Sequence, residues 1–373
     1  MRKQVLVSLS AAACVMTVMA AAPVGVAAQQ APPPSALVNQ EGQVVQEAAR
    51  KVSPHTADDA MKFFEAEVAR KTAQAIARVW DPNKPRTPSP RTAWGDPDLR
   101  GYWMVESYTP MQRPNGVTKA FYTPEEAVQA FAKAVADDAA VDPATVHYDW
   151  KEFGMDAWQS PVRPNLRTAL VVEPADGRIP AMTPEGRQRA QGEQRGTSVP
   201  SRGQAERCIT GNQGPPRTGG NDNHSQIVQV PGYVILVVQS NHDVRIIPLD
   251  GRPHLPQSVR SWLGDSRGHW DGDTLVVETT NFHPDREWRG SSPDMHLVER
   301  FTRVDPDTLL YEFTVTDPAT WTKPWTFESP WPRTQGKVYE WACHEQNYGL
   351  INVVKGAQIR ATEFEGRADP ARR

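Results

Sequence analysis

Between Ile227 and His344 the chain reads as a succession of short β-strands with no helix between them. Ile227–Val230, Tyr233–Gln239, Val244–Pro248, Thr274–Phe282, His296–Val304, Thr308–Thr316, Pro324–Glu328 and Val338–His344 are rich in Val, Ile, Thr, Phe and Tyr. Asp250-Gly251, Asp271-Gly272 and Asp305-Pro306-Asp307 punctuate them with turn chemistry. Consecutive strands of this kind predict an antiparallel meander. A sheet that large protects its edges by closing into a barrel or folding into a sandwich, and the barrel is the preferred reading.

Side chains alternate across a strand, so each strand can be split into two faces. Thr308–Val315 places Leu309, Tyr311, Phe313 and Val315 on one face, against Leu310, Glu312 and Thr314. His296–Val304 divides into His296, Val298, Arg300, Thr302 and Leu297, Glu299, Phe301, Arg303, and neither set is purely apolar. That mixture fits a barrel with a polar, ligand-sized interior, and equally an ordinary edge strand.

The N-terminus reads as an export signal. Arg2 and Lys3 precede an uncharged, Ala-rich run from Val5 to Val26, and the small residues at Val26-Ala27-Ala28 place the cut after Ala28. A membrane anchor is the competing reading, weakened by Pro23 and Gly25, and a lipoprotein cut at Cys14 is weaker still. Cleavage leaves 345 residues with 39 basic against 44 acidic side chains. Nothing basic is concentrated enough to neutralise a phosphate backbone, so nucleic acid is not an expected partner. No later segment approaches a membrane span. Cys208 and Cys343 are the cysteines that survive cleavage, and in an oxidising compartment they most simply pair. A reactive thiol or a metal pair is the alternative.

Residues 29–97 read as a linker and helical extension. Gln29–Ser35 is Pro/Ala/Gln-rich, and Asn39–Trp80 repeats apolar residues at three- and four-residue steps with a break at Ser53-Pro54. The prolines of Lys84–Pro97 suggest an extended tether. Residues 98–373 are then the β-rich domain, with helical insertions starting at Thr123-Pro124-Glu125-Glu126, a capping box, and at Thr183-Pro184-Glu185. Arg195–Asn223 reads as a long irregular connection.

Seven histidines lie in the strand-rich part from His224 onward: His224, His242, His254, His269, His283, His296 and His344. Several stand near a carboxylate, the usual apparatus for proton transfer near neutral pH, although a structural or exposed role is commoner for any one of them. No HExxH, HxH, CxxC or Asp-rich loop appears, so a metal site would have to be assembled from separate strands. There is no GxSxG and no phosphate-binding glycine loop. Gly264-Asp265-Ser266-Arg267-Gly268 resembles the short GDS motif of some esterases but is read as a turn. Trp321, Trp325, Trp331 and Trp341 offer flat platforms for sugars or aromatics, with core filling the commoner role.

Two resemblances follow from these residues. Asp98-Leu99-Arg100-Gly101-Tyr102-Trp103 resembles the Gly-x-Trp opening of the lipocalin or calycin barrels, which implies a lipocalin-like barrel closed at one end by Trp103. The block Gly264–Phe282 (GDSRGHWDGDTLVVETTNF) is joined by Asp176–Pro180, His296–Phe301, Asp317–Trp325 and Ala342–Glu345. Together they are similar to a large family of secreted bacterial proteins of unassigned function, which implies export and a β-rich fold.

The expectation is therefore a periplasmic or secreted barrel that binds a small apolar, aromatic or glycosidic ligand. Cofactor-free acid–base chemistry of the lyase, hydratase or isomerase type is one form of it. A non-catalytic carrier or envelope scaffold is the other. His242, His296, Glu299 and His344 are the expected proton carriers; Arg245, Trp270, Arg300 and Trp325 are expected to line the ligand site. No cofactor or metal is expected. His296 and Glu299 are an odd number of residues apart, so they share a pocket only if a bulge intervenes or the strand begins after His296.

Overall fold

The computed structural model describes residues 73–139, 162–192, 197–211, 214–219, 224–286, 288–335, 338, 340–345 and 347–368. The expected signal peptide, the linker and most of the helical 39–80 segment lie outside them.

Among the described residues, ten strands divide between two antiparallel sheets. β1 (Gly101–Met104), β3 (His224–Val230), β4 (Tyr233–Val238) and β5 (Val244–Pro248) form a four-stranded sheet in the order β1-β3-β4-β5. β2 (Val171–Glu173), β6 (Asp265–Asp271), β7 (Thr274–Thr280), β8 (His296–Asp305), β9 (Thr308–Thr316) and β10 (Trp325–Pro332) form a six-stranded sheet in the order β2-β10-β9-β8-β7-β6. The mainly β, antiparallel expectation is met. No closed barrel is present among the described residues, because no ladder joins β5 to β6.

The inner faces follow the period of two. Leu297, Glu299 and Phe301 of β8 register beside Val315, Phe313 and Tyr311 of β9. Those β9 residues in turn oppose Trp325, Phe327 and Ser329 of β10. Aromatic rings fill much of the space between the sheets: Phe313 stacks on Phe327 with centroids 4.8 Å apart, and Trp288 lies parallel to Trp325 at 6.0 Å. The late tryptophans Trp321, Trp325 and Trp331 are thus core, each 2 % exposed or less.

The sheets approach each other along two seams. On one side an isolated bridge joins Trp103 of β1 to Arg333, just past β10, and the Thr334 amide donates to the Tyr102 carbonyl at 3.0 Å. On the other, the edge strands β5 and β6 pinch together at Gly268. A Cβ there would fall 2.7 Å from Leu249 Cδ2 and 2.8 Å from Ile247 Cγ2, so only glycine permits the contact.

Helices flank this core among the described residues. α1 (Pro124–Ala139) opens with the expected capping box: the Thr123 amide donates to Glu126 Oε2 at 2.8 Å and the Glu126 amide to Thr123 Oγ1 at 3.3 Å. Its Phe131 and Val135 pack on Met104 and Val162. α2 (Pro184–Gly192) starts where Thr183 accepts the Gly186 amide at 3.0 Å. α3 (Tyr348–Ala368) was not expected from the sequence. Among the described residues no helix is long and apolar enough to cross a membrane.

Three segments differ from the sequence reading. Val338–His344 is not a strand where it is described, whereas Gly264–Gly268, read as a turn, leads into the edge strand β6 over Asp265–Asp271. Its alternation of buried Ser266 and Gly268 with more exposed neighbours was hidden by its Gly, Asp and Arg content. The proline-rich stretch 84–97 is no free tether. Its Thr87 amide donates to the Val304 carbonyl at 2.9 Å and its Ser89 hydroxyl to the Arg303 carbonyl at 3.0 Å, strapping it to the end of β8.

Candidate functional site

The inner face of β8 carries an acid among apolar neighbours. Glu299 is fully buried, and Arg245 of β5 reaches it from the opposite sheet. The Arg245 guanidinium meets it in a fork, Nη2 to Oε2 at 2.6 Å and Nη1 to Oε1 at 3.1 Å. Tyr311 of β9 donates its hydroxyl to Glu299 Oε1 at 2.7 Å and accepts the Arg217 amide at 3.0 Å. Arg245 Nη2 also donates to Ser266 Oγ and Thr279 Oγ1 at 3.0 and 3.1 Å. A buried ion pair overcomes its desolvation cost only when its remaining polar atoms are satisfied, which these hydroxyls largely do. Burial, and then the charge of Glu299, push the Tyr311 phenol well above its ordinary range, so it stays a donor.

Arg245 and Ser266 of this network also line a cleft in the β5–β6 seam, with a volume of about 340 Å³. Asp243, Arg245, Trp262, Asp265, Ser266 and Arg267 line the opening. Gly264 makes the turn that admits β6 to it. Its φ is +73°, and a Cβ would meet Thr279 Cγ2 at 2.6 Å and the Thr280 carbonyl oxygen at 2.8 Å. Trp262 stacks on His283 with centroids 4.1 Å apart.

The two carboxyls of the cleft have opposite environments. Asp243 is 8 % exposed. Burial raises it to about 6, against the opposing pull of the Gly211 amide at 2.9 Å, the Thr210 hydroxyl and the Arg217 charge. For Asp265, burial is outweighed by the Leu255 amide at 2.9 Å, the His254 ring at 2.9 Å and Arg267 at 2.6 Å, which hold it below the ordinary aspartate value. Environments that push two carboxyls in opposite directions suit one to hold a proton and leave the other ionised.

Of the residues expected to form the site, the structure brings Arg245 and Glu299 together and disperses the others. His296 lies on the outer face of β8, its Nε2 3.9 Å from Glu278 Oε2, while Glu299 points inward, as the odd spacing of a regular strand requires. The expected sharing of one pocket by His296 and Glu299 is therefore corrected. Arg300 is also on the outer face, bonded to Asp271 Oδ2 at 2.8 Å. His242 is exposed in the turn after β4, where its Nε2 accepts the Trp341 amide at 3.1 Å, and His344 is exposed beyond the disulfide. Trp325 is buried in the core, and Trp270 is half-buried against it. Cys208 and Cys343 are joined as expected, with Cα atoms 5.7 Å apart.

Sequence reading passed over Asp243, Asp265, Ser266, Thr279 and Tyr311 as site residues. Two signals were available: the Gly264-Asp265-Ser266 motif, and Glu299 standing between Leu297 and Phe301 on one face of its strand. Among the described residues no group of three or more His, Cys, Asp or Glu side chains is arranged to hold a metal ion. Comparison of the chain with models of known families, with curated proteins and with solved structures gave no match.

Proposed function

We propose that this is an exported, barrel-like small-molecule-binding protein whose reactive wall is the β5–β6 cleft, where Asp243 and Asp265 perform cofactor-free acid–base chemistry. The observation that carries the reading is the divergence of these two carboxyls within one cleft, one held near pH 6 and the other held ionised. A group poised near ambient pH donates a proton readily, and an ionised neighbour accepts one. Arg245, fixed by Glu299, and Ser266 offer hydrogen bonds at the base of the cleft, and Trp262 offers a ring face. This lining suits a polar, hydroxyl- or carbonyl-bearing ligand, the glycosidic end of the expected range. Export is supported by the leader-like N-terminus and by a disulfide, which persists in oxidising compartments.

The rival is a carrier that uses the same cleft without chemistry. Thermal-shift screening of glycosides and hydroxy acids at pH 5 and pH 7.5 tests the site. Ligands found there should be lost in Ile246→Trp, which fills the cleft from an exposed lining position. NMR of those ligands over hours separates enzyme from carrier. Conversion by the wild type and none by Asp243→Asn or Asp265→Asn, with binding retained, supports the enzyme. Unchanged ligand with the wild type leaves the carrier, and ligands indifferent to Ile246→Trp overturn the site.

A further inference from the structure

The four-stranded sheet is apolar on both faces. Val234, Leu236 and Val238 of β4 point into the core with Ile227 and Ile247, all 5 % exposed or less. The alternate positions of β4, which a wet face would fill with polar residues, are Tyr233, Ile235 and Val237. Register sets Ile235 between Ile246 of β5 and Val228 of β3, and Val237 beside Val244. The result is one aliphatic patch across three strands, and none of these side chains is charged. Val244 and Ile246 are 47 % and 62 % exposed, while Val228, Ile235 and Val237 are half-buried. A contiguous apolar patch left on a surface marks a place where something binds.

Two observations select the occupant. Val244 and Ile246 also line the β5–β6 cleft, so the patch begins where the cleft opens. The patch is also small. Three strands at the usual spacing, each contributing about five residues, cover about 240 Å² in projection. A stable protein interface needs about 800 Å² from each partner, so a second copy of the chain is a poor fit. A hydrocarbon chain is a good one: from β5 to β3 is two strand spacings, about 10 Å, the reach of an octyl group. We propose that the ligand of the cleft is an amphiphile, whose polar head enters the cleft and whose alkyl tail lies across the outer face of β5, β4 and β3. This rests on the cleft being the ligand site, and it narrows the ligand to hydroxyl-bearing molecules with an aliphatic chain, such as alkyl glycosides.

Calorimetric titration of the disulfide-intact chain with butyl, hexyl and octyl β-D-glucoside, each below its micelle concentration, tests this. A half-covered methylene should strengthen binding about twofold, so the octyl glucoside should bind about fifteenfold more tightly than the butyl one. Ile235→Lys, outside the cleft lining, should flatten that slope and leave butyl glucoside unchanged. Should that variant unfold early, Ile235→Thr keeps a β-branched strand residue and should reduce the slope in its place. Trp262→Ala, inside the cleft, should weaken all three glucosides by one factor and keep the slope. Affinities that fall in Trp262→Ala but do not climb with chain length overturn the tail and leave the cleft standing. Octyl glucoside that fails to bind, or that binds indifferently to Trp262→Ala, overturns the amphiphile altogether. A wild-type dimer in sedimentation velocity that Ile235→Lys dissolves would give the face to a second copy, and would overturn the proposal as well.

Discussion

Arg245 and Glu299 belong to strands in different sheets that share no ladder, yet their side chains meet at 2.6 Å in the space between them. The pair therefore ties the four-stranded sheet to the six-stranded one at the seam where backbone pairing is absent. Removing either partner strands a buried charge. Arg245→Met or Glu299→Gln should lower stability by about 3–5 kcal/mol, read as a fall in the urea midpoint at constant slope. The double variant Arg245→Met/Glu299→Gln should lose less than the sum of the two.

Asp243 makes stability depend on pH in the direction opposite to an ion-paired acid. Its folded-state pKa, about 6, stands above the ordinary aspartate value of 3.8, so the folded protein holds the proton more tightly than the unfolded chain. The associated stability is complete below pH 3.8 and is lost as the pH rises through about 6. Asp243→Asn should flatten this part of the profile, and carboxyl-carbon NMR should show one aspartate titrating near 6. A titration at the ordinary value would remove the proposed proton donor.

His296→Ala should be close to silent. The imidazole is on the outer face, with 43 % of its side chain exposed and its nearest acid 3.9 Å away. Surface substitutions of this kind change stability by within about 0.5 kcal/mol. Ligand binding in the cleft should be unchanged, and a tenfold loss would show that the outer face of β8 takes part.

Opening the disulfide should be felt at the cleft. Cys208 lies three residues before Gly211, whose amide holds Asp243. Cys343→Ser should cost about 2–5 kcal/mol. It should also move the Asp243 titration down towards 3.8, because the loop that buries the carboxyl is released. Alkylation of two thiols in native, unreduced protein would contradict the pairing.

The antiparallel strands were legible because period-two alternation and Asp-Gly turns are local signals, and Thr308–Thr316 splits into faces as its sequence requires. β6 was not legible, since a strand that needs Gly268 to approach Ile247 and Leu249 carries its reason in distant residues. Glu299 and Arg245 were each legible as site residues, but their pairing was not: Arg245, Ser266, Thr279 and Tyr311 come from four other strands, and only packing brings them to Glu299. The histidines drew attention by residue type, but their exposure is decided by strand facing. The raised pKa of Asp243 comes from burial that its neighbours in sequence do not reveal.

The link between Cys208 and Cys343, 135 positions apart, encloses all eight strands from β3 to β10 in one covalent ring. In the oxidised protein that part of the molecule is a macrocycle, from which the N-terminal portion and α3 leave as two tails. A protease that cuts once within the ring opens it without releasing a fragment, whereas a cut in either tail sheds mass at once. Oxidised protein nicked inside the ring thus runs as a single species until it is reduced, then separates into two pieces whose sizes locate the cut. The same closure lets new chain ends be placed at an exposed turn such as Asp250-Gly251 while β3–β10 stay on one covalent framework.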